Sequence, residues 1–160
     1  MKIDNSFTVD APPDQVFGYL LDTEQVVGCI PGAKLDDVVD SKTFKGTLKV
    51  KVGPVQVTYR GTARMLDVEE QGETSATARV EGEAREVGGQ GSVRGSLLLT
   101  VAHADGGGSR VDLSADFTVT GRVAQFGRGM IEDVSRRLVG QMASCIQQHL
   151  TSGQEASASS

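Results

Sequence analysis

Residues 111–142 read VDLSADFTVTGRVAQFGRGMIEDVSRRLVGQM, and the spacing of the hydrophobic residues changes within this stretch. Before Gly121, apolar and polar residues alternate, which is the period of a half-buried strand. After Gly121, apolar residues recur every three or four positions, as in an amphipathic helix. These helical positions are Val123, Phe126, Met130, Val134, Leu138, Met142, Ile146 and Leu150. The stretch therefore predicts a strand followed by one long helix over residues 123–150.

The residues at the amino end predict a strand and two short helices. Apolar residues alternate over residues 2–10, which is typical of a strand. Two prolines and Asp14 then mark the start of a first helix, which we expect to reach Asp22, because proline fits the first helical turn. Thr23 is the expected cap of a second helix, and the Pro31-Gly32 pair ends it.

Between residues 33 and 122 the period is two, interrupted by five turn-like segments rich in Gly, Pro, Asp or Ser. These interruptions predict six further strands, and the short connections favour antiparallel pairing. A 28-residue helix is roughly 40 Å long, whereas a ten-residue strand spans about 33 Å. The chain is therefore predicted to have an α+β fold, in which a curved seven-stranded antiparallel sheet wraps around the long C-terminal helix.

The length of 160 residues suits one domain, which we place at residues 1–150. The polar tail, residues 151–160, is predicted to be disordered. A net charge of -5 argues against a nucleic-acid partner. The chain lacks an apolar run of the roughly 20 residues that a spanning helix needs, and its first residues do not resemble a secretory signal. We therefore predict a cytoplasmic location.

The apolar face of the predicted sheet is rich in small residues. Nine of its 26 positions are Gly or Ala, and the chain has no Trp to fill the space that they leave. This composition predicts an enclosed apolar cavity. The alternative is that the glycines allow the sheet to coil and that the long helix fills the interior.

The candidate ligand-binding residues come from this face, from the long helix and from the two short helices. They are Phe17, Leu20, Ile30, Leu48, Val57, Tyr59, Ala78, Val80, Gly95, Leu97, Leu99, Phe117, Val119, Phe126, Met130, Val134 and Leu138. If the cavity is empty, replacing Ala78 or Ala115 by Leu, or Gly95 by Ala, is expected to preserve or raise stability.

The sequence shows no catalytic constellation. On the apolar face between residues 44 and 119, the titratable members that we identify are Tyr59 and His103, whereas acid-base catalysis needs positioned acidic or basic groups. Cys29 and Cys145 lie in no metal-binding or redox spacing and are interpreted as small buried residues. We therefore predict no catalytic residues, no metal site and no enzymatic activity.

Residues 43–66 carry five basic residues and no acidic one. These five residues alternate with apolar ones and share the outer face of two neighbouring strands. They are Lys45, Lys49, Lys51, Arg60 and Arg64, and we call them the basic face. The basic face is either ordinary solvated surface or a docking site for an acidic partner or an anionic membrane.

Several segments resemble a known family. Residues 11–22, APPDQVFGYLLD, resemble the first-helix signature of the SRPBCC or START-like superfamily. Residues 29–33, CIPGA, are similar more narrowly to the G-subunit family of carbon monoxide dehydrogenase. Further similarity to that family lies in KVGPV at 51–55, in YRG at 59–61 and in GRVAQFGRGMI at 121–131.

The resemblance implies a helix-grip fold, in which a strand, two helices, six strands and a long helix enclose an apolar pocket. It also implies an accessory role for a molybdenum hydroxylase-type carbon monoxide dehydrogenase, which such proteins link to the membrane. Because this enzyme passes electrons to a membrane-soluble acceptor, we expect a lipophilic ligand such as menaquinone or ubiquinone, and no covalent cofactor. The protein is then expected to associate transiently with the inner face of the cell membrane. The alternatives are a docking or maturation module with an incidental cavity, and a START-like cyclase or hydrolase.

Overall fold

A long helix crosses the concave face of one antiparallel sheet, as the change of hydrophobic period predicts. The computed structural model describes residues 1–71 and 75–159, with side chains as far as Thr151. Its elements are β1 (Lys2–Val9), α1 (Pro13–Leu21), α2 (Thr23–Cys29), β2 (Ala33–Val38), β3 (Thr43–Val52), β4 (Val55–Gln71), β5 (Ser75–Glu86), β6 (Ser92–His103), β7 (Ser109–Thr120), a 3₁₀ turn (Arg122–Phe126) and α3 (Gly127–Ser159). The predicted fold class and element order are confirmed.

The sheet has the strand order β1-β7-β6-β5-β4-β3-β2. From β2 to β7, successive strands are neighbours, because each connection is short enough for a hairpin. β1 instead pairs with β7, the strand farthest from it along the chain, and aligns Ile3 with Ala115. This long-range pair leaves β1 and β2 as the two edges of a seven-stranded sheet.

α1 and α2 form a short helical cap at one end of the sheet. α1 begins at Pro13, as its sequence predicts, and buries Val16, Phe17 and Leu20 against the strands β5 to β7. The cap of α2 differs from the expectation. The backbone N–H of Gln25 donates to the Asp22 side chain at 3.3 Å, so Asp22, and not Thr23, caps the helix.

The C-terminal helix starts later than its apolar stripe suggests. Residues 122–126 form a 3₁₀ turn, and Gly127 has φ +79°, which a right-handed helix does not accommodate. The prediction of a single helix from Val123 is therefore wrong at its first turn. α3 continues to Ser159. The prediction of a disordered tail at residues 151–160 falls mostly outside the described side chains and stays a prediction.

Hydrogen bonds hold α3 in place over the edge strand β1. The Gln147 side chain accepts a bond from the Asp10 backbone N–H at 2.9 Å and donates to the Asp10 carboxylate at 3.1 Å. Near the other end of α3, Arg128 Nη2 donates to the Lys2 carbonyl at 2.7 Å. The helix is thus fixed at two points about five turns apart.

The buried side chains form two separate clusters. The α1 cluster includes Val16, Phe17, Ala78, Leu99 and Ile146, and it lies under α1. The Tyr59 cluster consists of Val52, Val57, Tyr59, Val123 and Val134, with Phe126 and Met130 packed against it. α3 runs past both clusters, and the space between them is the candidate site.

Candidate ligand-binding cavity

A cavity of about 620 Å³ lies between the concave face of the sheet and the first half of α3. Its floor consists of residues from β3 to β7, and one wall is the end of α2 with the start of β2. The opposite wall is formed by Ile131, Val134, Ser135 and Leu138 of α3. This volume falls within the range of small-molecule binding sites, roughly 300–1,000 Å³.

Ten of the seventeen candidate ligand-binding residues line this cavity. They are Ile30, Leu48, Tyr59, Val80, Gly95, Leu97, Phe117, Val119, Val134 and Leu138. The other seven lie outside the lining. Phe17, Leu20, Ala78 and Leu99 belong to the α1 cluster, and Val57, Phe126 and Met130 belong to the Tyr59 cluster.

The seven displaced residues occupy the two filled ends of the concave face. Ala78 is 0% exposed because α1 covers that end of the sheet. A leucine there would meet packed atoms, so the expectation that Ala78→Leu preserves stability is corrected. Ala115, by contrast, lines the cavity.

Several lining residues were absent from the candidate list. Val27, Ala33 and Leu35 form the wall made by α2 and β2, and Ile131 comes from α3. Further sheet residues were on the apolar face in the sequence and were not selected. These are Phe44, Gly46, Val50, Val52, Gly61, Ala63, Gly82, Ala84, Val93 and Ala115. Alternation identified the face, but not the part of it that stays open.

The lining glycines have different structural roles. A Cβ on Gly95 would collide with the Asp116 carbonyl and with Phe117, and one on Gly61 would collide with the Glu83 carbonyl. At these points the strands approach too closely for a side chain, so the expected tolerance of Gly95→Ala is also corrected. A Cβ on Gly82 would lie 3.5 Å from its nearest neighbour, in ordinary contact. Glycine therefore allows close strand packing at Gly61 and Gly95 and leaves open space at Gly82.

Few polar groups reach the cavity. Its titratable lining residues are Lys34, Tyr59 and Glu83, and the first and last have exposed side chains. The Tyr59 hydroxyl is buried without a hydrogen-bond partner among the described residues. Burial raises the pKa of Tyr59, the Glu86 carboxylate raises it further, and the Arg122 guanidinium opposes this effect. Tyr59 is therefore a neutral hydroxyl at physiological pH.

Glu86 is an acidic residue that the sequence interpretation missed on the inward face of β5. Its side chain is 4% exposed, and Arg122 Nε and Nη2 each lie 2.7 Å from the Glu86 carboxylate oxygen Oε1. The strand alternation that places Ala84 inward also predicts this position, two residues farther on. Because the carboxylate is paired outside the cavity lining, it provides no free base to a ligand there.

All five residues of the basic face have exposed side chains on the outer surface of β3 and β4. None of them forms an ion pair with a residue of the described chain. The same sheet therefore presents unpaired positive charge on its convex side and the cavity on its concave side.

Cys29 and Cys145, 116 residues apart in sequence, form a disulfide that joins α2 to α3. The interpretation of both as isolated buried thiols is therefore wrong. His103 is exposed at the end of β6, as expected. His149 instead contacts the Tyr19 hydroxyl at 2.6 Å, next to the disulfide.

Solved structures with similar folds share little sequence with this chain. A conserved protein from Geobacillus kaustophilus has a TM-score of 0.79 at 18% identity, covering 95% of this chain and 96% of that one. An aromatase/cyclase from a Streptomyces species has a TM-score of 0.61 at 16% identity, with 93% and 92% covered. A START superfamily protein from Mycobacterium smegmatis has a TM-score of 0.54 at 11% identity, with 94% and 97% covered. At these identities the likeness concerns the fold alone.

No curated protein shows a significant match to the chain. In the part of the chain that the structure describes, no helix has the length and apolar character needed to cross a bilayer. The family model for the G-subunit of carbon monoxide dehydrogenase, CoxG, matches residues 6–151, which is most of the chain. With the helix-grip architecture and the cavity between sheet and helix in place, this match identifies the chain as a member of the CoxG family of carbon monoxide dehydrogenase.

Proposed function

We propose that this protein binds a lipophilic small molecule in its cavity, and that the ligand is a respiratory quinone such as menaquinone or ubiquinone. The observation that carries the proposal is the cavity of about 620 Å³ with an almost entirely apolar lining. A dry space of this kind favours an apolar guest, since water there would find few hydrogen-bond partners. The α1 cluster and the Tyr59 cluster close its two ends, so the ligand would lie between the sheet and α3.

The few polar groups suit a ligand with a small polar head. The neutral Tyr59 hydroxyl is a donor that lacks a partner among the described residues, and a quinone carbonyl is an acceptor. Ser135 adds a second hydroxyl on the α3 wall. Two donors against a large apolar surface favour a quinone over a charged metabolite, because the lining offers no buried charge to pair with it.

The family supplies the context for such a carrier. We propose that the protein serves a molybdenum-containing carbon monoxide dehydrogenase and links that enzyme to the cytoplasmic face of the membrane, where it would associate peripherally. Carrying the quinone in an apolar cavity would let electrons reach a lipid-soluble acceptor without the dehydrogenase entering the bilayer. The basic face would make the electrostatic contact, since anionic lipid attracts exposed lysine and arginine.

We propose further that the protein is not itself an enzyme. One structural neighbour is an aromatase/cyclase, so the fold does not exclude catalysis. Acid-base chemistry in this cavity would require a positioned acid or base. Tyr59 is neutral, and Glu86 is paired with Arg122. The lining therefore supports binding better than it supports catalysis.

A second candidate is a docking or maturation module for the dehydrogenase, in which the cavity has no ligand of its own. The five exposed basic side chains without ion-pair partners favour this alternative. Under it, the basic face alone would determine function.

Solvent extraction of protein purified without detergent, followed by mass spectrometry, distinguishes the two candidates. We expect a quinone at up to one molecule per chain. Ala115→Leu places three carbons in the cavity and should reduce the amount recovered. Ala124→Leu makes the same change at an exposed residue and serves as the control. If no lipophilic molecule is recovered and added quinone does not bind, the carrier proposal is wrong and the docking module is favoured.

A further inference from the structure

Three helices bring a second group of functional side chains together, behind the α2 wall of the cavity. Tyr19 comes from α1, Cys29 from the end of α2, and Cys145 with His149 from α3. Cys29 and Tyr19 are buried, whereas His149 is exposed to solvent. We call these four residues the thiol-imidazole cluster. It lies outside the cavity lining and has no part in the proposed quinone site.

The geometry points to a metal-binding site: we propose that the reduced thiol-imidazole cluster binds a thiophilic divalent ion of the Zn²⁺ class through Cys29 Sγ, Cys145 Sγ and a ring nitrogen of His149. One ligand atom from each of these three residues lies within 4.8 Å of the other two. Cys145 and His149 are four residues apart on α3, which places them on the same side of the helix.

The sulfur-to-nitrogen separations agree with a tetrahedral zinc centre. With Zn–S near 2.3 Å and Zn–N near 2.0–2.1 Å, neighbouring ligands lie about 3.5 Å apart for sulfur and nitrogen and about 3.8 Å apart for two sulfurs. Cys29 Sγ is 3.8 Å from His149 Nδ1, and Cys145 Sγ is 4.0 Å from His149 Nε2. Only the sulfur pair, which is bonded, has to separate.

Separation of the sulfurs follows from reduction. A dithiol reductant would transfer two electrons and two protons to the Cys29–Cys145 bond, which breaks into two thiols, while the reductant closes its own disulfide. A divalent ion would then bind both sulfurs as thiolates and displace their two protons to solvent. Cytoplasmic reductants keep most thiols in this reduced state.

The surroundings of His149 suit a ligand. A metal-binding histidine usually donates its second ring N–H to a fixed acceptor. If Nε2 takes the metal, Nδ1–H donates to the Tyr19 hydroxyl at 2.6 Å, and that hydroxyl donates to the Gln25 carbonyl at 3.3 Å. Every proton then has an acceptor. The three protein ligands leave a fourth position for water.

The test uses the untagged full chain, reduced with a phosphine without oxygen and titrated with Co²⁺ as a spectroscopic substitute for Zn²⁺. We expect one Co²⁺ per chain, with thiolate-to-cobalt charge-transfer bands and the visible bands of tetrahedral cobalt, and we expect Zn²⁺ to abolish both. Cys145→Ser and His149→Ala change residues on the solvent side and should weaken binding, and Tyr19→Phe should weaken it by roughly 10-fold.

His103→Ala is the matched control, because His103 is exposed at the end of β6 and far from this cluster in the sheet. It should bind cobalt like the unchanged protein, and the oxidised protein should show no thiolate bands. The proposal is overturned if the reduced protein shows no charge-transfer bands, which would leave a disulfide without a metal function. It is equally overturned if His149→Ala binds cobalt with unchanged affinity and spectrum.

Discussion

At the scale of single residues, Ala78 and Ala115 make a matched pair on the same face of the sheet. Ala78 is fully buried under α1, whereas Ala115 lines the cavity. We expect Ala78→Leu to lower the free energy of unfolding by about 1–3 kcal/mol through overpacking. Ala115→Leu should preserve or raise it by up to about 2 kcal/mol, because the added carbons are buried in free space. Urea denaturation of ligand-free protein measures both changes, and an equal loss for both would mean that the interior is packed throughout.

Tyr59 gives a second prediction at this scale. Its buried hydroxyl has no partner among the described residues, so Tyr59→Phe should leave ligand-free stability unchanged or raise it by about 1 kcal/mol. The same variant should bind a quinone up to roughly 10-fold more weakly, because it loses one hydrogen bond to the head group. Thermal melts and a quinone-binding titration measure the two effects.

Tyr19→Phe is the control for Tyr59→Phe, because the Tyr19 hydroxyl contacts His149 and Gln25. It should cost about 1 kcal/mol of stability and leave quinone binding unchanged. A clear loss of stability in Tyr59→Phe, with unchanged binding, would remove Tyr59 from the account of ligand recognition.

At the scale of secondary-structure elements, the Glu86–Arg122 pair joins the end of β5 to the turn that precedes α3. The Glu86 side chain is 4% exposed, so Arg122→Gln leaves a buried carboxylate without its cation. We expect a loss of about 1–3 kcal/mol in the free energy of unfolding. Arg94→Gln breaks a pair whose side chains are 80% and 69% exposed, and should change stability by less than about 1 kcal/mol. Equal losses in the two variants would show that burial of Glu86 has no energetic importance.

The start of α3 is the element that we expect to open for the ligand. Gly127 interrupts the helical backbone, and Gly129 has no contact that would restrain it within 4 Å of an added Cβ. Amide hydrogens of residues 124–130 should therefore exchange faster than those of residues 134–145. Gly129→Ala fits the space and should stabilise this turn by up to about 1 kcal/mol, which slows both exchange and ligand release. Equal protection of the two segments would place the opening elsewhere, at the α2 wall.

At the scale of the whole molecule, the sheet separates an apolar concave side from a basic convex side. We expect Lys49→Gln combined with Lys51→Gln to weaken binding to vesicles containing anionic lipid by about 2 kcal/mol, or roughly 30-fold, and to flatten its salt dependence. Stability should not change, since exposed charges contribute little. Vesicle sedimentation over a range of salt concentrations measures the effect.

Arg79→Gln combined with Arg94→Gln removes the same total charge from residues that pair with Asp67 and Glu83, and it should leave vesicle binding nearly unchanged. If both double variants lose binding to the same extent, net charge and not the basic face controls association. If neither loses binding, the basic face has no role at the membrane.

The sequence by itself determined the elements, their order and the face of each strand that is buried. Hydrophobic period is a local property, and short turns allow each strand only one neighbour, so residues 111–142 were enough to distinguish the last strand from the long helix. The tertiary structure alone decided which parts of that face stay open. Ala78 and Ala115 have the same pattern in sequence, and only the docking of α1 fills the space beside Ala78. The same holds for Cys29 and Cys145, whose contact depends on how α2 and α3 pack, because no local spacing encodes a pair 116 residues apart.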